Sequence, residues 1–133
     1  MKAFLVRLDA RSGSLARLSE AMAGKGVNLV AVSAMPGDRQ TVGFVADPED
    51  AARQALRQAG IRAREFDVIQ LALANEPGAL ARVAAALEGA GTPIQLLLTL
   101  RASRGRALDV IAVADPARAE MVLRGLPEDS VLR

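Results

Sequence analysis

The sequence repeats itself after 65 residues, and no other feature limits the fold as strongly. Within the range 9–31, 7 of the 23 positions carry the same residue as the position 65 further along the chain. The tetrapeptide "VADP" also recurs, at 45–48 and at 113–116, with a spacing of 68. An internal repeat indicates a structural unit that is used more than once. We therefore predict two domains of similar fold, 1–65 and 66–133.

Both copies show the same order of predicted elements. A short apolar run that is typical of a strand leads through a polar turn into a helix, and a glycine pair suited to a left-handed cap ends that helix. The apolar helix positions, spaced i, i+3 and i+7 and expected in the core, are Leu15, Leu18 and Met22 in one copy and Leu80, Val83 and Leu87 in the other. The repeated Arg17 and Arg82 are expected on exposed helix faces. The predicted strands are 3–8, 27–35, 41–46 and 62–66 in the first copy and 68–73, 92–100, 107–114 and 130–133 in the second.

The second helix of each copy is expected to begin at an Asp-Pro pair, Asp47-Pro48 or Asp115-Pro116, because Asp caps free backbone N–H groups and Pro suits the first turn. The order strand-helix-strand-strand-helix-strand is that of the split βαβ, ferredoxin-like unit. We predict an α+β fold with two such βαββαβ units in tandem, each an antiparallel sheet with helices on one face. One unit of this size buries a modest core, which favours an intimate pair of units and a homodimer.

The residue types that the chain lacks exclude most catalytic chemistry. It contains no Cys, His, Trp or Tyr. Without Cys and His there is no thiolate nucleophile, no Ser/His/Asp triad and no Cys or His metal ligand. The acidic residues do not cluster in the sequence in a way that replaces them. We therefore predict a protein that is not an enzyme and that holds no cofactor and no metal.

Charge is spread along the chain, with a formal net charge of +2. The densest basic stretch, "RASRGR" at 101–106, is expected to be a solvated hairpin tip, with contact to an anion or a partner as the alternative. Phe4, Phe44 and Phe66 are the only aromatic residues, too few for RNA bases to stack on a sheet, so no nucleic-acid partner is expected. The N-terminus does not resemble a signal peptide, and no apolar run spans a bilayer. A cytoplasmic protein without membrane association is the expectation.

The stretch "ANEPGALARVAAALEGAGTPI" at 74–94 resembles the signature of the ACT domain family. In that family a strand runs into a polar Pro-Gly turn, a helix follows with a Leu two residues after the Gly, and a further Gly precedes an Asn-Ile-like strand start. The matching residues are Asn75, Pro77, Gly78, Leu80, Gly91 and Ile94 in the second copy and Asp9, Gly13, Leu15, Gly26, Asn28 and Leu29 in the first. The resemblance covers nearly the whole chain and identifies it with stand-alone tandem ACT domain proteins.

The resemblance implies a small regulatory module that binds an amino acid or a similar small molecule at an interface between two ACT units. ACT modules are commonly fused to metabolic enzymes, so an enzyme or another regulator is an expected partner, and the expected role is allosteric. The ligand is expected in the loops between the first strand and the first helix of each copy and at the start of the next strand. The implied ligand-binding residues are Asp9, Arg11, Ser12, Gly13, Ser14, Leu15, Asn28 and Leu29 in the first copy and Asn75, Glu76, Pro77, Gly78, Ala79, Leu80 and Ile94 in the second.

The chemistry of these loops agrees with such a site. A turn that leads into a helix presents unpaired backbone N–H groups, which can hold a carboxylate, and Asp9, Asn75 or Glu76 can accept a hydrogen bond from an ammonium group. Each copy departs from the family pattern, with Ser12 in place of the usual Pro in the first and Pro93 in place of Asn in the second. The alternative is therefore a protein-interaction or assembly module without a functional ligand site.

Overall fold

Two antiparallel sheets, one in each half of the chain, organise the fold. The computed structural model describes residues 1–9 and 14–132, and the chain divides into two units, Met1–Phe66 and Asp67–Arg133. The elements of the first unit are β1 (Lys2–Leu8), α1 (Leu15–Gly24), β2 (Asn28–Met35), β3 (Gln40–Asp47), α2 (Glu49–Gln58) and β4 (Ala63–Asp67). Those of the second are β5 (Ile69–Asn75), α3 (Ala79–Gly89), β6 (Ile94–Ser103), β7 (Gly105–Val113) and α4 (Pro116–Arg124).

In the first unit the strands lie in the order β2-β3-β1-β4. β3 pairs antiparallel with both β1 and β2. On one face of the sheet, Phe4 of β1 and Phe44 of β3 stack with their ring centroids 5.2 Å apart. Leu18 and Met22 of α1 and Leu56 of α2 are buried in the same cluster. Both helices therefore cover one face of the sheet, and the core lies between them and that face.

The second unit repeats this arrangement, with the strand order β5-β7-β6 and antiparallel pairing on both sides of β7. Val83 and Leu87 of α3 are buried in a cluster with Ile111 of β7, as their spacing predicts. The prediction is wrong for Leu80, which is 47% exposed. The buried positions of α3 are spaced by four, with Ala79 as the first of them, and Leu80 lies about 100° round the helix from Ala79.

The last predicted strand, 130–133, is reduced to an isolated antiparallel bridge between Val131 and Leu73 of β5. Ser130 and Leu132 are each joined to β5 by one backbone hydrogen bond, of 3.0 and 2.8 Å. The residues before the bridge form a turn that is closed by the amides of Ser130 and Val131, so little chain is left to extend the ladder. With this one reduction, the predicted fold of two tandem ferredoxin-like βαββαβ units is confirmed.

Glycines follow the first helix of each unit, as predicted. α1 and α3 end at Gly24 and Gly89. Two residues later, Gly26 and Gly91 have φ angles of 70° and 77°, which is the left-handed conformation of a helix C-terminal cap. The chain therefore leaves both helices in the same way and enters the next strand.

The second helices begin differently from each other. Asp115 caps α4, as predicted, and its side chain accepts a hydrogen bond from the backbone N–H of Arg118. Asp47 does not cap α2, and the prediction is wrong there, because the N-cap residue is Pro48 and no side chain in the described part of the chain caps this helix start. Asp47 is the last residue of β3, where it pairs with Asn28 of β2. Within the repeated VADP sequence, α4 begins at the proline, whereas α2 begins one residue after it. Pairing of Asp47 in the sheet accounts for this difference.

A buried carboxylate in the second unit stands where the first unit has a valine. Val42 of β3 pairs with Val6 of β1, and Asp109 of β7 pairs with Leu71 of β5, which follows Val6 by 65 residues. Val42 is 0% exposed and Asp109 is 4% exposed. Oδ1 of Asp109 has no hydrogen-bond partner among the described residues. Because an unpaired buried polar atom costs free energy, Asp109 lowers the stability of the second unit.

Replacing Asp109 with Val is expected to raise the free energy of unfolding by about 1–3 kcal/mol, the cost of a buried polar atom that lacks a partner. Urea unfolding of D109V beside the wild-type protein measures this gain. The reverse exchange at the equivalent position, Val42→Asp, is the matched control and is expected to destabilise the protein. A loss of stability in D109V would show that the carboxylate makes a stabilising contact.

Arg53 of α2 joins this helix to the edge strand β4. Its Nε donates to both carboxylate oxygens of Glu65, at 2.8 and 3.0 Å, and its Nη1 donates to Oδ1 of Asp50 at 2.7 Å. The guanidinium carbon lies 5.9 Å from the centroid of the Phe4 ring. The hydrogen bonds from Arg53 lower the pKa of the Glu65 carboxyl from its ordinary value. Because the pKa of Glu65 is lower in the folded protein than in the unfolded chain, ionisation of this carboxyl stabilises the folded state.

The stability that Glu65 contributes is expected to be present above the ordinary pKa of a glutamate, about 4.3, and to be lost as the pH falls through the lower pKa of the folded state. The Tm of the wild-type protein should exceed that of E65Q at neutral pH, and the two should converge in acid. E120Q is the control, because the one ion pair of Glu120 with a described residue is the exposed 3.9 Å pair with Arg124. A wild-type advantage over E65Q that stays the same in acid would contradict this account.

Candidate functional site

The loop between β5 and α3 brings polar groups to one end of the second unit. Asn75 is the last residue of β5 and lies opposite Gly105 of β7. Its Nδ2 donates a 2.6 Å hydrogen bond to the carbonyl oxygen of Ser103 in β6. This bond ties the loop to the β6–β7 hairpin. The side-chain oxygen of Asn75 is then the atom that can accept a hydrogen bond from a ligand.

Gly78 begins α3 in the left-handed region, with φ 91° and ψ −18°, where a residue with a Cβ is strained. No side chain among the described residues caps this helix start, and the N–H of Ala79 makes a long 3.4 Å contact with the carbonyl oxygen of Glu76. α1 differs, because Oγ of Ser14 accepts from the N–H of Arg17 at 3.4 Å. Of the two helices, α3 therefore keeps more backbone donors for an anion.

Arg82 links the start of α3 to the C-terminal segment of the unit. Its Nε donates to Oγ of Ser130 at 2.6 Å, and its Nη2 donates to the carbonyl oxygen of Asp129 at 3.0 Å. The same Nη2 lies 3.7 Å from Oε1 of Glu76, and Nη1 lies so close to Gly78 that a Cβ there would meet it at 2.9 Å. A guanidinium in this position can bind a carboxylate that approaches the helix start.

The equivalent loop of the first unit is described only at its two ends. Asp9 follows β1 and is partly buried, and Ser14 is the N-cap of α1. Arg11, Ser12 and Gly13, which the sequence places in the candidate site, lie outside the described residues. The geometry of the candidate site therefore comes from the second unit.

The remaining candidate site residues divide into a core group and an exposed group. The core group, whose side chains are buried or partly buried, consists of Leu15, Leu29, Ala79 and Ile94. The exposed group consists of Asn28, Pro77 and Leu80. The structure thus gathers Asn75, Glu76 and Gly78 at the start of α3, where Ala79 is buried and presents no polar side-chain atom.

Arg82 lies beside this candidate site, although the ligand-binding residues predicted from the sequence do not include it. The repeat aligns it with Arg17, and this identity is the signal from which its role could be found. Arg17 also reaches another segment, because its Nη2 donates to the carbonyl oxygen of Ala59 at 3.3 Å. Helical spacing places both arginines on the outside of a helix, and it does not show that each side chain reaches a distant part of the backbone.

Two further properties concern residues 1–9 and 14–132. None of the helices in this part of the chain is long and apolar enough to cross a membrane. No three acidic side chains there are grouped in a way that could hold a metal ion.

Comparisons with known proteins bear on the fold. No protein-family model matches the sequence, and no curated protein matches it. A solved structure of a protein from Bacteroides thetaiotaomicron is similar, with a TM-score of 0.78 and 27% identity over 98% of this chain and 88% of that chain. The regulatory subunit of aspartate kinase from Thermus thermophilus is also similar, with a TM-score of 0.64 and 21% identity over 95% of this chain and 91% of that chain. The regulatory subunit of aspartate kinase from Thermus flavus has a TM-score of 0.63 and 23% identity over 92% of this chain and 87% of that chain. The chain therefore has an ACT-like fold, like that of these regulatory subunits.

Gly78→Ala is expected to destabilise the protein more than Gly105→Ala does. The two glycines have similar φ angles of 91° and 87°, so each exchange adds left-handed strain of about 1–2 kcal/mol. At position 78 the new Cβ also meets Nη1 of Arg82 at 2.9 Å, whereas nothing lies within 4 Å at position 105. Moving Arg82 disturbs its hydrogen bonds to Ser130 and Asp129. Urea unfolding measures the difference, and equal losses would show that the position of Arg82 contributes no stability.

Proposed function

We propose that this protein is a regulatory module that binds a small molecule, and that the ligand is an amino acid. The loop between β5 and α3, residues 75–80, holds the ligand beside Arg82. The loop at 9–15 is the counterpart of this loop in the repeat. The protein acts as a cytoplasmic homodimer that regulates a metabolic enzyme or another regulator and is not itself an enzyme.

The start of α3 is the observation that carries this proposal. Gly78 has no side chain that could shield the helix start, and no side chain among the described residues caps α3. The backbone N–H groups of the first turn and the helix dipole favour a carboxylate there. Arg82 adds a cationic partner, whose present anionic neighbour is the Glu76 carboxylate at 3.7 Å. Because the side chain of Glu76 is 55% exposed, a ligand carboxylate can take its place at little cost.

The same loop supplies acceptors for the ammonium group of an amino acid. The carboxylate of Glu76 and Oδ1 of Asn75 are both acceptors. Asn75 is held in place by its 2.6 Å hydrogen bond to the Ser103 carbonyl oxygen, so less freedom is lost when a ligand binds. Donors for a carboxylate and acceptors for an ammonium group thus lie within a few residues of each other, which suits a zwitterion.

The fold supports a regulatory role for this binding. Two structures of the same fold are regulatory subunits of aspartate kinase, one of them in a ligand-free form. We infer a corresponding role here, in which an effector binds and changes how the module acts on a partner. Such regulation requires that the ligand bind one conformation of the protein more tightly than another.

A thermal-unfolding screen against the twenty amino acids, each at several concentrations, tests the proposed function. One or two amino acids are expected to raise the Tm in a saturable way, because a ligand that binds the folded state stabilises it by about 2.7 kcal/mol at a hundredfold excess over its Kd. The expected Kd is roughly 1 μM–1 mM.

Gly78→Ala and Arg82→Gln are expected to lose the response to that amino acid, each judged against its own unliganded Tm. Gly60→Ala is the matched control, because Gly60 has a φ of 71° and nothing lies within 4 Å of a Cβ built there. It is expected to respond like the wild-type protein. A flat screen across all twenty amino acids would contradict the proposed ligand and favour the alternative, a protein-interaction module without a functional ligand site.

A further inference from the structure

We propose a second, separate binding site, for a small anion, on the β6–β7 hairpin of the second unit. The ligand is a small organic molecule that carries a phosphate group or two carboxylates. Arg101 and Arg106 bind its anionic group. This site shares no residue with the loop at 75–80, and it does not depend on the amino-acid ligand proposed for that loop.

A groove on this hairpin has the size of a small-molecule site. Its volume is about 470 Å³, and its lining residues are Arg101, Ala102, Ser103, Arg106 and Leu108. Pockets that hold small molecules measure roughly 300–1,000 Å³. The groove therefore has room for a compact anionic group together with a short organic part.

The two groove arginines project from the same face of the hairpin. Arg101 lies directly opposite Leu108, and Ser103 lies directly opposite Arg106. Opposed residues share a face, and so do residues two apart on one strand, so all four side chains lie together. Ile111, an odd-numbered residue of β7, faces the core under α3 and α4. The groove is therefore on the face of the sheet that points away from these helices.

The charge of the groove is not balanced by nearby acids. Arg101, Arg104 and Arg106 are all exposed, and no carboxylate among the described residues forms an ion pair with them. The sequence has no Asp or Glu from 89 to 108. A guanidinium presents a planar set of donors that matches a carboxylate or a phosphate in a two-point contact. Two such groups beside one groove favour a ligand with at least two negative charges.

The hairpin is held in shape around the groove. The carbonyl oxygen of Ser103 accepts the 2.6 Å hydrogen bond from Asn75, and Oγ of Ser103 donates to the carbonyl oxygen of Arg106 at 3.4 Å. These bonds fix the chain on both sides of the turn at Arg104. A site whose backbone is already fixed loses less entropy when it binds a ligand.

The corresponding hairpin of the first unit lacks this charge. Its turn, "PGDR" at 36–39, carries one acid and one base, Asp38 and Arg39. Three arginines within 101–106 are therefore not a requirement of the hairpin fold, because the same hairpin forms in the first unit without them. Of the two expectations for this stretch, the groove favours contact with an anion. Leu108, which shares a face with the two groove arginines, adds an apolar side chain to the lining, which suits the organic part of the ligand.

Isothermal titration calorimetry of the full chain with sodium pyrophosphate and, separately, with sodium malonate tests the site, at a constant ionic strength of about 0.15 M. At least one of the two is expected to bind saturably, with a Kd below about 1 mM. Arg101→Gln and Arg106→Gln are each expected to weaken binding about tenfold or more, because each removes charge-assisted hydrogen bonds.

Arg104→Gln is the matched control, because it removes the same charge from the same hairpin but from a residue that does not line the groove. It is expected to weaken binding by less than threefold. Binding of pyrophosphate alone identifies a phosphorylated ligand, and binding of malonate alone identifies a dicarboxylate; both results support the site. Binding of neither probe, or an equal loss in all three variants, overturns it. Circular dichroism confirms that each variant is folded, and the amino-acid screen remains an independent test of the loop at 75–80.

Discussion

Burial of one face of each sheet is the constraint on which the rest of this structure depends. In the first unit, the stacked Phe4 and Phe44 lie under α1 and α2, and in the second, Ile111 lies under α3 and α4. A helix that covers such a face must begin near the end of the strand before it. The strand-to-helix loop of the second unit therefore stands at one end of its sheet, where Asn75 and Glu76 are exposed.

The two units share this core but differ in their polar features. Asp109 occupies the register position of Val42. Ser14 caps α1, whereas no side chain within residues 1–9 and 14–132 caps α3. The arginines of one hairpin are replaced in the other by a turn with one acid and one base. None of these differences alters the order of the strands. A fold that is maintained by its apolar face tolerates changes at helix starts and hairpin tips, which are the places where binding sites are built.

The candidate site was only partly predictable. Asn75, Glu76 and Gly78 follow from the turn between a strand and a helix, which is a local pattern. The role of Arg82 depends on Ser130 and Asp129, which are 48 and 47 residues away, and no spacing rule connects them. The prediction that Leu80 lies in the core is wrong because Ala79 is buried, and the next residue of the helix points towards solvent.

Local patterns in the chain were thus sufficient to predict the two units, the order of their elements along the chain and the strand-to-helix loop of the second unit, because the repeat and the apolar periodicity can be read from residues close together in the sequence. Contacts between distant segments decided the rest. Pairing with Asn28 kept Asp47 in β3, the Asn75 hydrogen bond joined a loop to a hairpin, and the register across β7 placed Asp109 in the core. Such outcomes depend on which residues pair when the strands assemble into a sheet. The residues next to each position in the sequence do not identify its partner on another strand.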